Sequence, residues 1–207
     1  MDTMKTIMTR RSIRKFKDTP LSEEKIWKYL EAANMAPTAS NRQPWNFIVI
    51  QREKLENLQE LLEASFKERL EDMGEEDYQN YKERLEKMPI PGEADQIKNM
   101  QSFFRTLGNA PVAILVYVDE PDSEQRGFLD VQDAAAAIEN LILAAWADGV
   151  GSCWMCGPLV KKGDALKKIF NITDKRLIAL IPLGYPETFP VKTPPKDDVK
   201  DKTRGLP

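Results

Sequence analysis

A single domain of mixed α and β structure is predicted for this chain by three observations. Its 207 residues suit one ordinary domain. Apolar, strand-like runs at 46–51, 111–119 and 176–184 are separated by stretches of helical periodicity. No repeat, low-complexity tract or convincing linker divides the chain. A hydrophobic content of 42% against a charged content of 30% describes a soluble globular protein, large enough to fold without covalent staples.

Each element has a local reason. Residues 3–9 read as a short helix ending at a basic cluster. Thr19-Pro20-Leu21-Ser22 breaks the chain, and Ser22 can cap a helix with Glu23 and Glu24 in its first turn. Ile26, Trp27, Leu30 and Ala33 give that helix an apolar face to about Met35. Asn46 to Gln51 reads as a strand. Glu53 to Lys87 is an acidic helical stretch interrupted near Gly74, with Leu55, Leu58, Leu62, Phe66 and Leu70 on one face. Met88-Pro89-Ile90-Pro91-Gly92 breaks it, and a further helix runs to about Leu107. Pro111 to Asp119 is β-branched and apolar on both faces, as in a buried strand. Leu129 to Ala147 is a helix stopped by Asp148-Gly149, and it is apolar nearly all round, so it is central or lies at a subunit interface. A helix near Lys161 to Phe170 and a strand from Arg176 to Gly184 follow. From Tyr185 the chain is a Pro- and Lys-rich extended tail, expected to wrap another surface.

Composition excludes several chemistries. Histidine is absent, which removes Ser-His-Asp and Cys-His catalysis and His-bearing zinc sites. Two cysteines make neither a disulfide scaffold nor a four-cysteine metal site, and no metal is expected. Met1-Asp2 leads into a polar, basic segment, and nothing approaches 18 consecutive apolar residues; neither a signal peptide nor a membrane partner is expected, and the default compartment is cytoplasmic. The net charge of −3 gives no reason to expect nucleic acid. Charge is nevertheless uneven. Residues 1–20 carry about +4 and residues 51–100 about −6. A small anion such as a phosphate group suits the short basic arm better than a polymer does.

Three constellations could carry chemistry. Arg10, Arg11, Ser12 and Arg14 offer fork-shaped donors fit for a phosphate or a polar ring edge, although such a run also occurs as a solvated basic loop. Ala36-Pro37-Thr38-Ala39-Ser40-Asn41-Arg42-Gln43-Pro44-Trp45 is a preset loop of small polar residues, suited to the edge of a planar ligand or simply to capping a turn. Gly151-Ser152-Cys153-Trp154-Met155-Cys156-Gly157-Pro158 contains a C-x-x-C, a dithiol motif or a pair of buried structural cysteines. The start of the next helix near Lys161 and the strand-like Trp-Met favour the structural reading. H-E-x-x-H, G-x-G-x-x-G and G-K-[ST] are all absent.

Taken in order, these segments resemble the nitroreductase family of flavin mononucleotide (FMN) oxidoreductases. The resemblance lies in Arg-Arg-Ser-Ile-Arg-Lys-Phe at 10–16, Ala-Pro-Thr-Ala-Ser-Asn-Arg-Gln-Pro-Trp at 36–45 and Asn-Ala-Pro-Val-Ala-Ile at 109–114. It continues through Asp133 with Asn140-Leu141, Gly-Ser-Cys-Trp at 151–154 and Leu-Gly-Tyr-Pro at 183–186. It implies an α+β fold, a mixed sheet flanked by helices, in an intertwined homodimer with FMN at the interface. NADH or NADPH is the implied reductant and a small organic molecule, such as a nitroaromatic or quinone, the acceptor. By the same resemblance Arg10, Arg11, Ser12 and Arg14 contact the flavin. Pro37, Thr38, Ala39, Ser40 and Asn41 reach it from the other subunit. Backbone groups of Met155, Cys156 and Gly157 approach the ring and its N5. Residues 53–107 match a segment that often forms a lid, with Tyr78, Tyr81, Phe103 and Phe104 as candidate lining, although surface or core packing is the commoner role for any one of them. The usual basic pair after Gly-Tyr-Pro is reduced here to Lys196, with Arg204 as a substitute. No side chain is expected to act as a catalytic acid, base or nucleophile. Two other readings stay open: a flavin-binding sensor or store with little turnover, and a dithiol oxidoreductase using Cys153 and Cys156.

Overall fold

Four strands, β1 (Trp45–Gln51), β2 (Val112–Asp119), β3 (Gly151–Ser152) and β4 (Lys175–Gly184), form one antiparallel sheet in the order β1-β2-β4-β3. A computed structural model describes residues 2–88, 94–190 and 195–205. The expected break at 89–92 and positions 191–194 of the tail lie outside the described residues. β2 lies between β1 and β4, with Trp45 opposite Val118 on one side and Val112 opposite Leu183 on the other. Its apolar residues on both faces follow from that central place. Val112, Ile114 and Val116 face one core, and Ala113 and Leu115 face a second.

The described residues form eight α-helices: α1 (Thr3–Thr9), which packs on α7, and α2 (Glu23–Asn34), α3 (Arg52–Glu56), α4 (Gln59–Glu71), α5 (Glu75–Glu86), α6 (Gln96–Thr106), α7 (Glu124–Ala147) and α8 (Gly157–Phe170), which flank the sheet. Helices α2 and α7 close the first core, and α3 to α6 with α8 close the second. The expected stripe of the acidic stretch is real: Leu55, Leu58, Leu62 and Phe66 are buried and Leu70 is half-buried. Each such side chain contributes roughly 1.5–3 kcal/mol on burial. The acidic residues occupy the outer faces, as amphipathic helices require.

Three expectations need correction. In α2, Trp27 points outward, its indole N–H donating to Glu23, and Tyr29 fills the core instead. Helix α7 begins five residues before Leu129, capped by the Ser123 hydroxyl. Gly127 disguises that first turn, because glycine is a poor helix former. It suits the close approach there: a Cβ would stand 2.7 Å from Arg176 Nη1, the movable end of a long side chain, and 3.0 Å from Pro121. Helix α8 starts at Gly157 rather than near Lys161, although a non-helical backbone at Lys162 marks a kink close to the expected start. Of the candidate lining residues, Phe103 and Phe104 are core residues, each 4% exposed, in line with the packing alternative.

Candidate functional site

The basic arm is strapped to the sheet by backbone hydrogen bonds. Ile13 N–H donates to Ser152 O at 2.8 Å, Phe16 N–H to Gly108 O at 2.9 Å and Lys17 N–H to Tyr185 O at 2.8 Å. Glu187 N–H donates back to Lys15 O at 3.1 Å. Ile13 and Phe16 are driven into the core, leaving Arg10, Ser12 and Arg14 on the other side of the extended chain. Gly108 makes the strap possible. Its φ is +67°, and a Cβ there would lie 2.4 Å from the Arg14 carbonyl oxygen.

The arginines divide their work. Arg11 Nη1 donates to Met8 O and Arg10 O at 2.9 and 2.7 Å, satisfying carbonyls where α1 ends. Arg10 stands 4.0 Å from Glu139 on α7. Arg14 places its guanidinium over the Phe103 ring at 5.9 Å, and its buried Nε has no hydrogen-bond partner among the described residues. A buried donor left unpaired costs about 1–3 kcal/mol, and Nε of Arg11 and of Arg126 share that state, so what distinguishes Arg14 is its place over Phe103 and beside Cys153. Beneath lies Cys153. Burial pushes its thiol up, outweighing the charges of Arg14 and Arg10 and a hydrogen bond with Ser12.

Met155 is pinned by reciprocal backbone bonds with Leu180, and Cys156 caps α8. The N–H of Gly157, in the first turn, has no acceptor within the helix and carries the positive end of its dipole. The expectation of two buried cysteines holds for Cys153 alone; Cys156 is exposed because the chain turns outward to begin α8. Gly157 is also a meeting point. A Cβ there would lie 3.1 Å from Phe104 and 3.5 Å from Arg69 Nη1. The dithiol reading is weakened, since a buried thiol held protonated is a poor nucleophile. Iodoacetamide at neutral pH should therefore label Cys156 and leave Cys153 unmodified; peptide mass spectrometry showing equal labelling would contradict this.

Residues 37–41 sit elsewhere. Asp133 on α7 accepts from Thr38 Oγ1 at 2.7 Å and from Ala39 N–H at 3.2 Å, and Thr38 Oγ1 accepts from Gln43 N–H. Arg126 pairs with Asp130 and stands 3.9 Å from Asp133. That anchor holds three non-glycine residues, Ser40, Asn41 and Gln43, at φ of 50–54°. Such backbone persists only where its surroundings over-determine it. Pro37, Ser40 and Asn41 are exposed. Arg10, Ser12 and Arg14 share no hydrogen bond or ion pair with this loop. Backbone bonding thus joins the arm to the C-x-x-C segment at Ser152, while the loop is tied to α7. Lys196 and Arg204 are exposed in the tail, without ion pairs among the described residues.

The decisive observation is a match between residues 7–185 and the model of the Nitroreductase family. The chain is a member of that family. It is 33% identical, over 89% of its length and 85% of the relative's, to a provisionally named NADH dehydrogenase/NAD(P)H nitroreductase of Archaeoglobus fulgidus. Its fold matches the FMN-dependent nitroreductase NfnB of Mycobacterium smegmatis, solved with NADPH, at a TM-score of 0.76, with 21% identity and coverage of 99% and 98% of the two chains. A BluB-like flavoprotein from Clostridium difficile is 26% identical with a TM-score of 0.69, each chain fully covered. Against the family's motifs, sequence reasoning recorded Asp133 without its anchoring role, which a carboxylate facing the Thr38 hydroxyl supplies. Arg69 was missed entirely, since a lone arginine in an acidic helix carries no local signal.

Proposed function

We propose that this nitroreductase-family protein is an FMN-dependent oxidoreductase that takes reducing equivalents from NADH or NADPH and passes them to a small organic acceptor. The observation that carries the reading is the buried Arg14 Nε left without a partner in an arm that converges with Ser12 and Arg10 on Cys153. FMN bound there would supply two-electron redox chemistry between the nicotinamide and the acceptor. Arg10, Ser12 and Arg14 hold its phosphate, ribityl chain and pyrimidine edge, with Arg11 bracing the arm. The Arg14 guanidinium compensates negative charge at that edge. N–H groups of Cys156 and Gly157 face the ring, and the Met155–Leu180 bonds fix their position. Lys196 is proposed as the tail's contribution to the phosphate. No side-chain acid or base is required.

The phosphate should dominate affinity, because charge-assisted bonds contribute on the order of 1.5–3 kcal/mol each. Titration of the flavin-free protein should give FMN a dissociation constant at least about tenfold below that of riboflavin. Steady oxidation of NADH or NADPH with quinone or nitroaromatic present then separates enzyme from store. Equal affinity for the two flavins, or a flavin-loaded protein without turnover, would defeat the respective halves of the proposal.

The active form is proposed to be a homodimer. The loop at 37–41 makes no hydrogen bond or ion pair with the arm among the described residues, which is in keeping with its reaching the site of a second copy. Met4, Ile7 and Met8 on α1 and Phe128 and Val131 on α7 are exposed apolar side chains of the kind an obligate interface covers. Light scattering should give twice the 23.7 kDa chain mass at micromolar concentration. A flavin-saturated monomer would overturn the assignment.

A further inference from the structure

Arg69 on α4 is half-buried and makes no hydrogen bond or ion pair among the described residues. Two acids close to it in sequence are engaged elsewhere: Lys162 pairs with Glu68, and Lys161 pairs with Asp72. Both lysines come from α8, so the α4–α8 seam consumes the local carboxylates and leaves one cation uncompensated. Its guanidinium lies over the Tyr81 ring at 5.2 Å, and its Nη1 points to within 3.5 Å of where a Gly157 side chain would begin. Stacking occupies the guanidinium face and leaves its in-plane N–H fork free, the geometry that matches a carboxylate. Arg14 over Phe103, and Phe104 against Gly157, continue the same layer of cations and aromatic rings.

We infer that Arg69 is a specificity-determining residue for the acceptor, selecting aromatic molecules that carry a carboxylate. This rests on the flavin reading above, in which Cys156 and Gly157 lie beside the reacting edge of the cofactor. A group next to Gly157 then meets the ring that exchanges electrons with the flavin. The 2′-phosphate of NADPH lies at the far end of the dinucleotide from its nicotinamide, so Arg69 is poorly placed to read it.

The test uses the oxidised, FMN-loaded protein. Calorimetric titration should show benzoate binding at least about tenfold tighter than benzamide. Arg69→Gln should weaken benzoate about tenfold and change benzamide less than about twofold, with FMN content unaltered. Arg69→Lys should restore part of the benzoate affinity, since charge returns without the fork. In turnover, the kcat/KM ratio for 4-nitrobenzoate over 4-nitrobenzamide should fall in parallel. In the unmodified protein, added salt should weaken benzoate and spare benzamide. Absence of any benzoate preference in the unmodified protein would overturn the inference, as would an unchanged preference in FMN-loaded Arg69→Gln. A change in the ratio of NADPH to NADH activity without an acceptor effect would also overturn it and reassign the arginine to the reductant. A protein without flavin affinity would overturn the underlying function as well.

Discussion

Gly108→Ala is expected to abolish tight flavin binding while leaving most of the fold assembled. The new Cβ would lie 2.4 Å from Arg14 O and 2.7 Å from Arg14 C, which are backbone atoms that no rotamer change can move. Alanine at φ +67° adds strain of about 1–3 kcal/mol. Relief requires the arm to lift, breaking the 2.9 Å bond from Phe16 N–H to Gly108 O and displacing Arg14 from Phe103. FMN affinity should drop at least tenfold, measured by flavin fluorescence, with thermal unfolding lowered by several degrees. Gly74→Ala is the control. Nothing lies within 4 Å of its added Cβ, and its effect should stay within about 1 kcal/mol. Equal behaviour of the two variants would show that the arm does not depend on Gly108.

Asp133→Ala should be the most destabilising polar change. It removes the acceptor for Thr38 Oγ1 and Ala39 N–H and strips Arg126 of one of its two carboxylates. Breaking a largely buried, hydrogen-bonded carboxylate of this kind costs about 3 kcal/mol. For a chain of this size that is roughly a 10 °C fall in the unfolding midpoint. With its anchor gone, the left-handed backbone at Ser40, Asn41 and Gln43 has nothing to hold it. Dimer and flavin should therefore weaken together, seen as concentration-dependent flavin release. Retention of both at full stability would remove Asp133 from its anchoring role.

Much of this architecture was legible in the residues because the signals were local. Val-Ala-Ile-Leu-Val-Tyr-Val is apolar on both faces and became the doubly covered β2, and Ser22 capped α2 as its hydroxyl suggested. Asp148-Gly149 ended α7 with Gly149 at φ +76° and Val150 N–H bonded to Ala145 O. What stayed hidden was tertiary. Gly127 serves the Arg176 side chain, which is far away in sequence. Trp27 and Tyr29 differ in direction by where α7 passes, which no periodicity contains. Pro158 in the first turn of α8 was a readable start signal, overlooked because Met155 behaves as a strand residue through its bonds to Leu180. In the site, the arm and the C-x-x-C segment came together as their motifs implied. The separation of the 37–41 loop, and the freedom of Arg69, depend on which carboxylates other helices claim.

The strap that fixes the arm also dictates when it can form. Ile13 bonds to Ser152, and Lys15 and Lys17 bond to Glu187 and Tyr185, so the arm is secured by residues far later in the chain. Closing such distant loops is entropically costly and slow, and it becomes worthwhile only after the intervening core has gathered the two ends. On the ribosome, therefore, α1 and the basic arm must wait exposed while the sheet is built in front of them. The anion-binding edge is completed only once β4 has left the exit tunnel.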